Sequence, residues 1–353
     1  MNGFSTERLH ALDLLRFFAA FAVLLYHFTA RPGSGFEWLP VVTQFGYLGV
    51  PLFFMISGFV IALSANGRTA YQFAVSRVAR LYPALWVCIL CSVLISAMLA
   101  GDRIDPLQIL ANMTLLNDYL GYADVDVVLW TLHAEIKFYG CVFLLVALGL
   151  FNRYRLWMGI WLAMTVLWHT TGQPGFMGWF ISPGWSPYFM IGVVAYQIHH
   201  HQMDWFNALV LGLSLSLASV HSFHRVGGFI PDASLADASL ASLLTLGAAA
   251  LVLAIATGRL SLRPSPRVAL AGAMTYPLYL IHNRAGKAMI DSVLPAVPEW
   301  LAVAGATVIV LALSYAINRH VERPVSRWMR RVGNNLPDYL RSAGLLRGRP
   351  SIR

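Results

Sequence analysis

Charge is scarce in this chain. Only 12% of its 353 residues are Asp, Glu, Lys or Arg, about half the share a soluble domain carries. Too few charges are available for a water-facing surface, so a soluble globular protein is excluded and lipid must cover much of the molecule. Cysteine is scarcer still: Cys88, Cys91 and Cys141 are the only three, all in apolar runs. No disulfide framework follows. The C-x-x-C spacing of Cys88 and Cys91, with no second pair or histidine motif beside it, reads as small buried hydrophobes, and no metal site is expected. Nor is a cleavable signal expected: Asp13 and Arg16 interrupt the first apolar run and no small-residue cleavage site follows, so that run is expected to be a retained span. No internal repeat is visible, and no water-soluble domain fits between the apolar runs.

Hydrophobic residues make up 58% of the chain, and its mean hydropathy is +0.63. Runs long enough to cross a bilayer number about ten. They lie near 11–30, 46–64, 81–100, 129–150, 155–172, 184–199, 205–221, 239–257, 268–287 and 300–318, the sixth weakened by Pro183 and Pro187. The expected fold is all-α and polytopic. A transmembrane domain over 1–330 is followed by a basic tail over 331–353.

The excess of basic over acidic residues, 25 to 16, would suggest nucleic acid in a soluble protein. Here the basic residues are nearly all Arg, sit in short loops and the tail, and accompany no nucleic-acid motif. With the N-terminus inside, the inner loops hold Arg8, Arg68, Arg77, Arg80, Arg153, Arg155, Arg259, Arg263 and Arg267. The outer loops hold only Arg31, Arg103, Arg225 and Lys287. Both termini are therefore expected in the cytoplasm, and the basic tail is expected to touch anionic lipid.

Ionisable side chains within spans cost several kcal/mol and mark function or pairing. Arg16 and His27 are eleven positions apart, which puts them on one helix face, separated by roughly 16 Å along the axis. Asp13 is placed to pair with Arg16. The fourth span opens Leu129-Trp130-Thr131-Leu132-His133-Ala134-Glu135-Ile136-Lys137-Phe138-Tyr139. Glu135 shares a face with Tyr139, and His133 shares another with Lys137. The ninth contains Tyr276-Pro277-Leu278-Tyr279-Leu280-Ile281-His282, kinked at Pro277. His27, Glu135 and His282 come to comparable depth from three spans, a convergence that points to a site. Arg77 and Arg80, at i,i+3, are placed to clamp a phosphorylated ligand at the inner face. The small residues of Gly46 to Phe59 allow close helix approach. Intramembrane His, Glu and Arg also suit a proton-coupled transporter or a flippase of a glycolipid or small solute.

In order and spacing, these motifs resemble the membrane-bound acyltransferase family 3. The match runs through Leu12-Asp13-Leu14-Leu15-Arg16 with His27, Gly49 to Phe59, and Arg77 and Arg80 before Tyr82-Pro83. It continues through Trp130 to Glu135 with Phe138-Tyr139, Tyr276 to His282, and Glu322-Arg323-Pro324. His133 and Lys137 depart from the family pattern, which bears on acceptor choice. The resemblance implies a multi-pass enzyme of the bacterial inner membrane. It would move an acyl group, most commonly acetyl, from cytoplasmic acyl-CoA to a hydroxyl of a surface or exported glycan or glycolipid. On that reading Arg16, Arg77 and Arg80 hold the CoA phosphates and His27 is general base, with an acyl-histidine route also open. Glu135 orients His27, and His282 polarises the carbonyl or positions the acceptor.

Overall fold

In hydrocarbon every backbone N–H and C=O must be satisfied within the chain, and the apolar runs meet that demand as helices. The computed structural model describes residues 9–30, 36, 39–173, 175–294 and 296–342, and among them there is no strand. Arg8, Arg31 and the tail beyond residue 342, all part of the orientation argument, lie outside the described residues.

In chain order the helices are α1 (His10–Thr29), α2 (Leu39–Thr43), α3 (Gly49–Ala65), α4 (Ala70–Ala100), α5 (Pro106–Thr114), α6 (Trp130–Ala147), α7 (Tyr154–Thr170) and α8 (Gly175–Ile181). They continue with α9 (Ser186–His200), α10 (Trp205–Arg225), α11 (Leu235–Ala256), α12 (Pro266–Ile281), α13 (Arg284–Val293), α14 (Glu299–Ile317) and α15 (Arg323–Ser342). Seven helical segments among the described residues are long and apolar enough to cross a membrane. The chain is thus a multi-pass membrane protein. The three other expected spans appear as shorter helices: α7 with 17 residues, α9 with 15 and α12 with 16. In α9 every residue from Ser186 to Gln197 is buried. It is enclosed by protein rather than lipid, so nothing requires it to match the bilayer's thickness.

Local signals set the boundaries. Thr69 and Gln72 form a capping box at the start of α4, which ends at Gly101 with φ 70°. Ser234 and Asp237 do the same for α11. Outward faces suit hydrocarbon: on α4, Trp86, Leu90, Leu94 and Met98 form one exposed stripe at helical spacing. The expected close approach is realised where α3 crosses α9. A Cβ on Gly58 would overlap the Phe189 carbonyl, and one on Gly192 the Met55 carbonyl. Gly46 and Gly49 meet the carbonyls of Ala22 and Ala19 on α1 in the same way, so the small residues serve backbone-to-backbone packing.

Helix α12 has Pro277 inside it and stops at Ile281. His282 and Asn283 then form a turn before α13 begins. The expected kink is followed by a break, and the break carries the histidine. At the other end, α15 runs straight through residue 330, so the tail begins as a continuation of a helix. Its inner side is tied to α4: the Tyr71 hydroxyl donates to the Gly333 carbonyl at 2.7 Å and Ser326 to that of Ala79 at 2.5 Å. Trp328, Val332, Leu336 and Tyr339 are exposed along it, interspersed with arginines, the pattern of an interfacial helix.

Candidate active site

Three cavities follow one another along the bundle. The first is a vestibule of about 530 Å3 at the end where α1 starts, lined among others by Asp13, Arg16, Arg80, Arg323, Arg327 and Arg330. Arg80 donates to the buried carboxylate of Glu322 and stacks over the Tyr276 ring at 5.3 Å. A π-helical turn at Asn318–Glu322 brings Glu322 inward, and Asn318 donates to its Oε2 at 2.9 Å and to the Ala273 carbonyl at 3.0 Å. Such one-turn widenings are frequent at functional sites. Arg77 does not share this vestibule. It donates to Ser64 Oγ at 3.0 Å and Ser76 Oγ at 3.2 Å, and its guanidinium lies 5.8 Å from the Tyr139 ring. The expected clamp is therefore split: Arg80 faces the open space, while Arg77 supports the interior.

The second cavity is a waist of about 50 Å3 lined by Arg16, Ser57, Thr131, Glu135, Tyr276 and Tyr279, among others. Ser57 donates to Glu135 Oε1 at 2.9 Å, and the Tyr139 hydroxyl donates to the same oxygen. Arg16 lies within electrostatic reach of Glu135, Asp13 and Arg80. A buried cation needs such acidic company to remain charged away from water.

The third cavity, about 370 Å3, lies at the end where α1 finishes. His27 Nδ1 and His282 Nε2 are 2.9 Å apart across its wall, and His282 Nδ1 is 2.8 Å from the Tyr279 carbonyl. A carbonyl only accepts, so His282 Nδ1 carries the proton there. With both rings neutral, His282 Nε2 is then an acceptor, His27 Nδ1 donates to it, and the lone pair of His27 remains on Nε2. These tautomers are assigned from the network of partners. The turn bearing His282 is itself pinned. Asn283 donates to Asp126 Oδ1 at 2.6 Å, and the Arg284 N–H to Asp126 Oδ2 at 2.8 Å.

The expected convergence is thus partly met. His27 and His282 touch. Glu135 sits in the waist, with Ser57 and Tyr139 as its partners rather than His27. The reason is depth: Trp130 at the start of α6 lines the third cavity, and Glu135 is five residues further along, roughly 7.5 Å deeper. The side chain in hydrogen-bond contact with His27 is that of His282.

Aromatic rings make up much of the third cavity's wall. Tyr47 stacks on Phe229 at 4.2 Å, Trp130 lies 4.8 Å from Trp185, and the Tyr188 hydroxyl is 2.9 Å from His221 Nδ1. Asp126, Asn318 and this aromatic wall did not emerge from sequence reasoning, and Glu322 emerged only as a landmark. Asp126 had one local signal, its position four residues before Trp130. His133 turns outward to Asp118 at 3.0 Å and Asn117 at 3.1 Å, tying α6 to the loop before it.

The cavities share walls: Arg16 lines both vestibule and waist, and Val50 and Tyr279 line both waist and third cavity. A basic vestibule, a narrow polar waist and a cavity beside the histidine pair therefore lie next to one another along the bundle.

A family model described as "Acyltransferase domain" matches residues 9–319; the chain belongs to this family of acyltransferases, as the motif order implied. Among curated proteins it is similar to Nodulation protein 10 of Rhizobium leguminosarum bv. viciae, 30% identical over 39% of this chain and 44% of that protein. It is also similar to the O-acetyltransferase OatA of Staphylococcus aureus, 29% identical over 43% of this chain and 27% of that protein. The aligned part thus covers less than half of either relative. No solved structure matches the chain.

Proposed function

We propose that the protein transfers an acyl group, acetyl in the first instance, from acyl-CoA to a hydroxyl of a glycan or glycolipid across the bacterial inner membrane. The observation that carries this reading is the series of adjoining cavities, from a basic vestibule through a polar waist to the cavity beside the paired histidines. The excess of arginine at the basic end supports a cytoplasmic vestibule. The phosphates of CoA suit the vestibule, with Arg80 and Arg16 as contacts and the arginines of α15 around them. The acyl thioester enters through the waist, whose small volume admits a thin chain and excludes a sugar.

The acceptor occupies the third cavity. His27 Nε2 takes the hydroxyl proton as the oxygen attacks the thioester carbonyl. The C–O bond forms, the C–S bond breaks, and the proton passes from His27 to the departing CoA sulfur. His282, held by the Tyr279 carbonyl, accepts from His27 Nδ1–H and so fixes its tautomer and steadies the imidazolium that forms, the part an acid plays in hydrolase triads. Glu135 balances the positive charge of Arg16 at the waist.

The test is direct. Membranes containing the protein are incubated with acetyl-labelled acetyl-CoA, and glycans and glycolipids are extracted. Alkali-releasable label on either is expected. Movement of a solute across the membrane with no covalent label would instead establish the carrier reading.

A further inference from the structure

We propose that the acceptor is anionic, with a carboxylate or phosphate close to the hydroxyl that is acylated, and that Arg225 binds that group. This rests on the placement of the acceptor in the third cavity. Among the described residues lining that cavity the fixed charges are Arg225 and Lys287, and none is Asp or Glu. The remaining polar groups are histidines, tyrosines, tryptophans and Ser222. Carboxylates and amides are the common acceptors for the hydroxyls of a neutral glycan. This wall offers cations, hydroxyls and rings.

Arg225 is the last residue of α10. Its guanidinium sits over two aromatic faces, Trp185 at 5.8 Å and Phe229 at 5.7 Å. Stacking holds the plane and leaves the N–H edge to donate. Among the described residues no carboxylate pairs with it. The contrast with Arg284, at the same end of the bundle, is informative. That guanidinium is committed to Asp102 Oδ2 at 2.6 Å, the Val125 carbonyl at 2.7 Å and Ser96 at 2.9 Å. Where an arginine serves the fold, acceptors surround it; Arg225 is oriented by rings and offers its donors to the cavity, a geometry suited to bidentate capture of a carboxylate or phosphate. Lys287 lines the same cavity and lies within electrostatic reach of both His27 and His282, so the cavity that holds Arg225 is also the one beside the reacting hydroxyl.

The test uses the full chain in nanodiscs of zwitterionic lipid and three disaccharide probes: cellobiose, cellobiouronic acid and cellobiose 6′-phosphate. Binding is read by equilibrium dialysis without donor, and transfer with labelled acetyl-CoA. At least one anionic probe is expected to bind about tenfold or more tighter than cellobiose. Which one does so separates a carboxylate from a phosphate acceptor. Arg225→Gln is expected to reduce that preference to about twofold, and Arg225→Lys to retain about half of it on a logarithmic scale. Equal binding of all three probes by the wild type overturns the proposal, as does a preference that survives Arg225→Gln. An anion preference without transfer of label contradicts the acyltransferase reading alone; transfer without preference contradicts this one alone.

Discussion

Replacing His27 by alanine is expected to lower the rate of acyl transfer by about 10²–10⁴-fold, the usual contribution of a positioned general base. The apparent affinity for acetyl-CoA should change by no more than about twofold, because the lost interaction belongs to the reacting hydroxyl and not to the donor. The ring's hydrogen bonds single out one nitrogen. His27 Nδ1 is engaged with His282 Nε2 at 2.9 Å, and His282 is fixed through its own Nδ1 on the Tyr279 carbonyl. One nitrogen with a free lone pair remains, on a ring that lines the cavity. His282→Ala should cost less, since it leaves the base in place but frees its orientation. Steady-state kinetics on purified protein reads both. Wild-type turnover in a well-folded His27→Ala variant would place the chemistry elsewhere.

The second large effect is expected at Glu322. It is 3% exposed, pairs with Arg80, and accepts from Asn318 at 2.9 Å. Breaking a fully buried ion pair by removing one partner costs about 3–5 kcal/mol, because the other charge is left uncompensated; Arg80 keeps one side on the vestibule, so the cost here is expected toward or below the lower end of that range. Glu322→Ala should therefore lower the melting temperature sharply and reduce the yield of monodisperse protein. Replacing both partners by apolar residues is often close to neutral. Adding Arg80→Met to Glu322→Ala should restore most of the thermal stability but not donor binding, since the vestibule has lost a phosphate contact. Recovery of donor affinity along with stability would mean that Arg80 serves the fold alone.

Much of this was legible in the sequence, for reasons that differ by residue. The helical segments were readable because lipid imposes length and apolarity on each one independently. Helices α7, α9 and α12 fell short of full span length because what encloses α9, and what turns the chain after Pro277, are tertiary facts. Helical period put Arg16 and His27 on one face, and depth brought His282 level with His27. Depth could not say that their rings touch. Span counting puts Glu135 at the histidines' level; α6 starts with Trp130 at the cavity, which leaves Glu135 lower, at the waist. A single turn separates Arg77 from Arg80, and that spacing alone suggests one clamp. Their partners lie on different helices: Tyr139 on α6 for one, Glu322 beyond α14 for the other. The aromatic wall gathers Tyr47, Trp185 and Phe229, whose spacing follows no local period.

The most direct test is a sided assay. Purified protein is reconstituted into sealed vesicles in one orientation. Labelled acetyl-CoA is supplied on the face that carries the arginines of α15, and cellobiose with cellobiouronic acid only on the other. Acetyl ester should accumulate on the disaccharide across the membrane, with free CoA released on the donor side. Ester formation only when donor and acceptor share a compartment would contradict the route through the bundle.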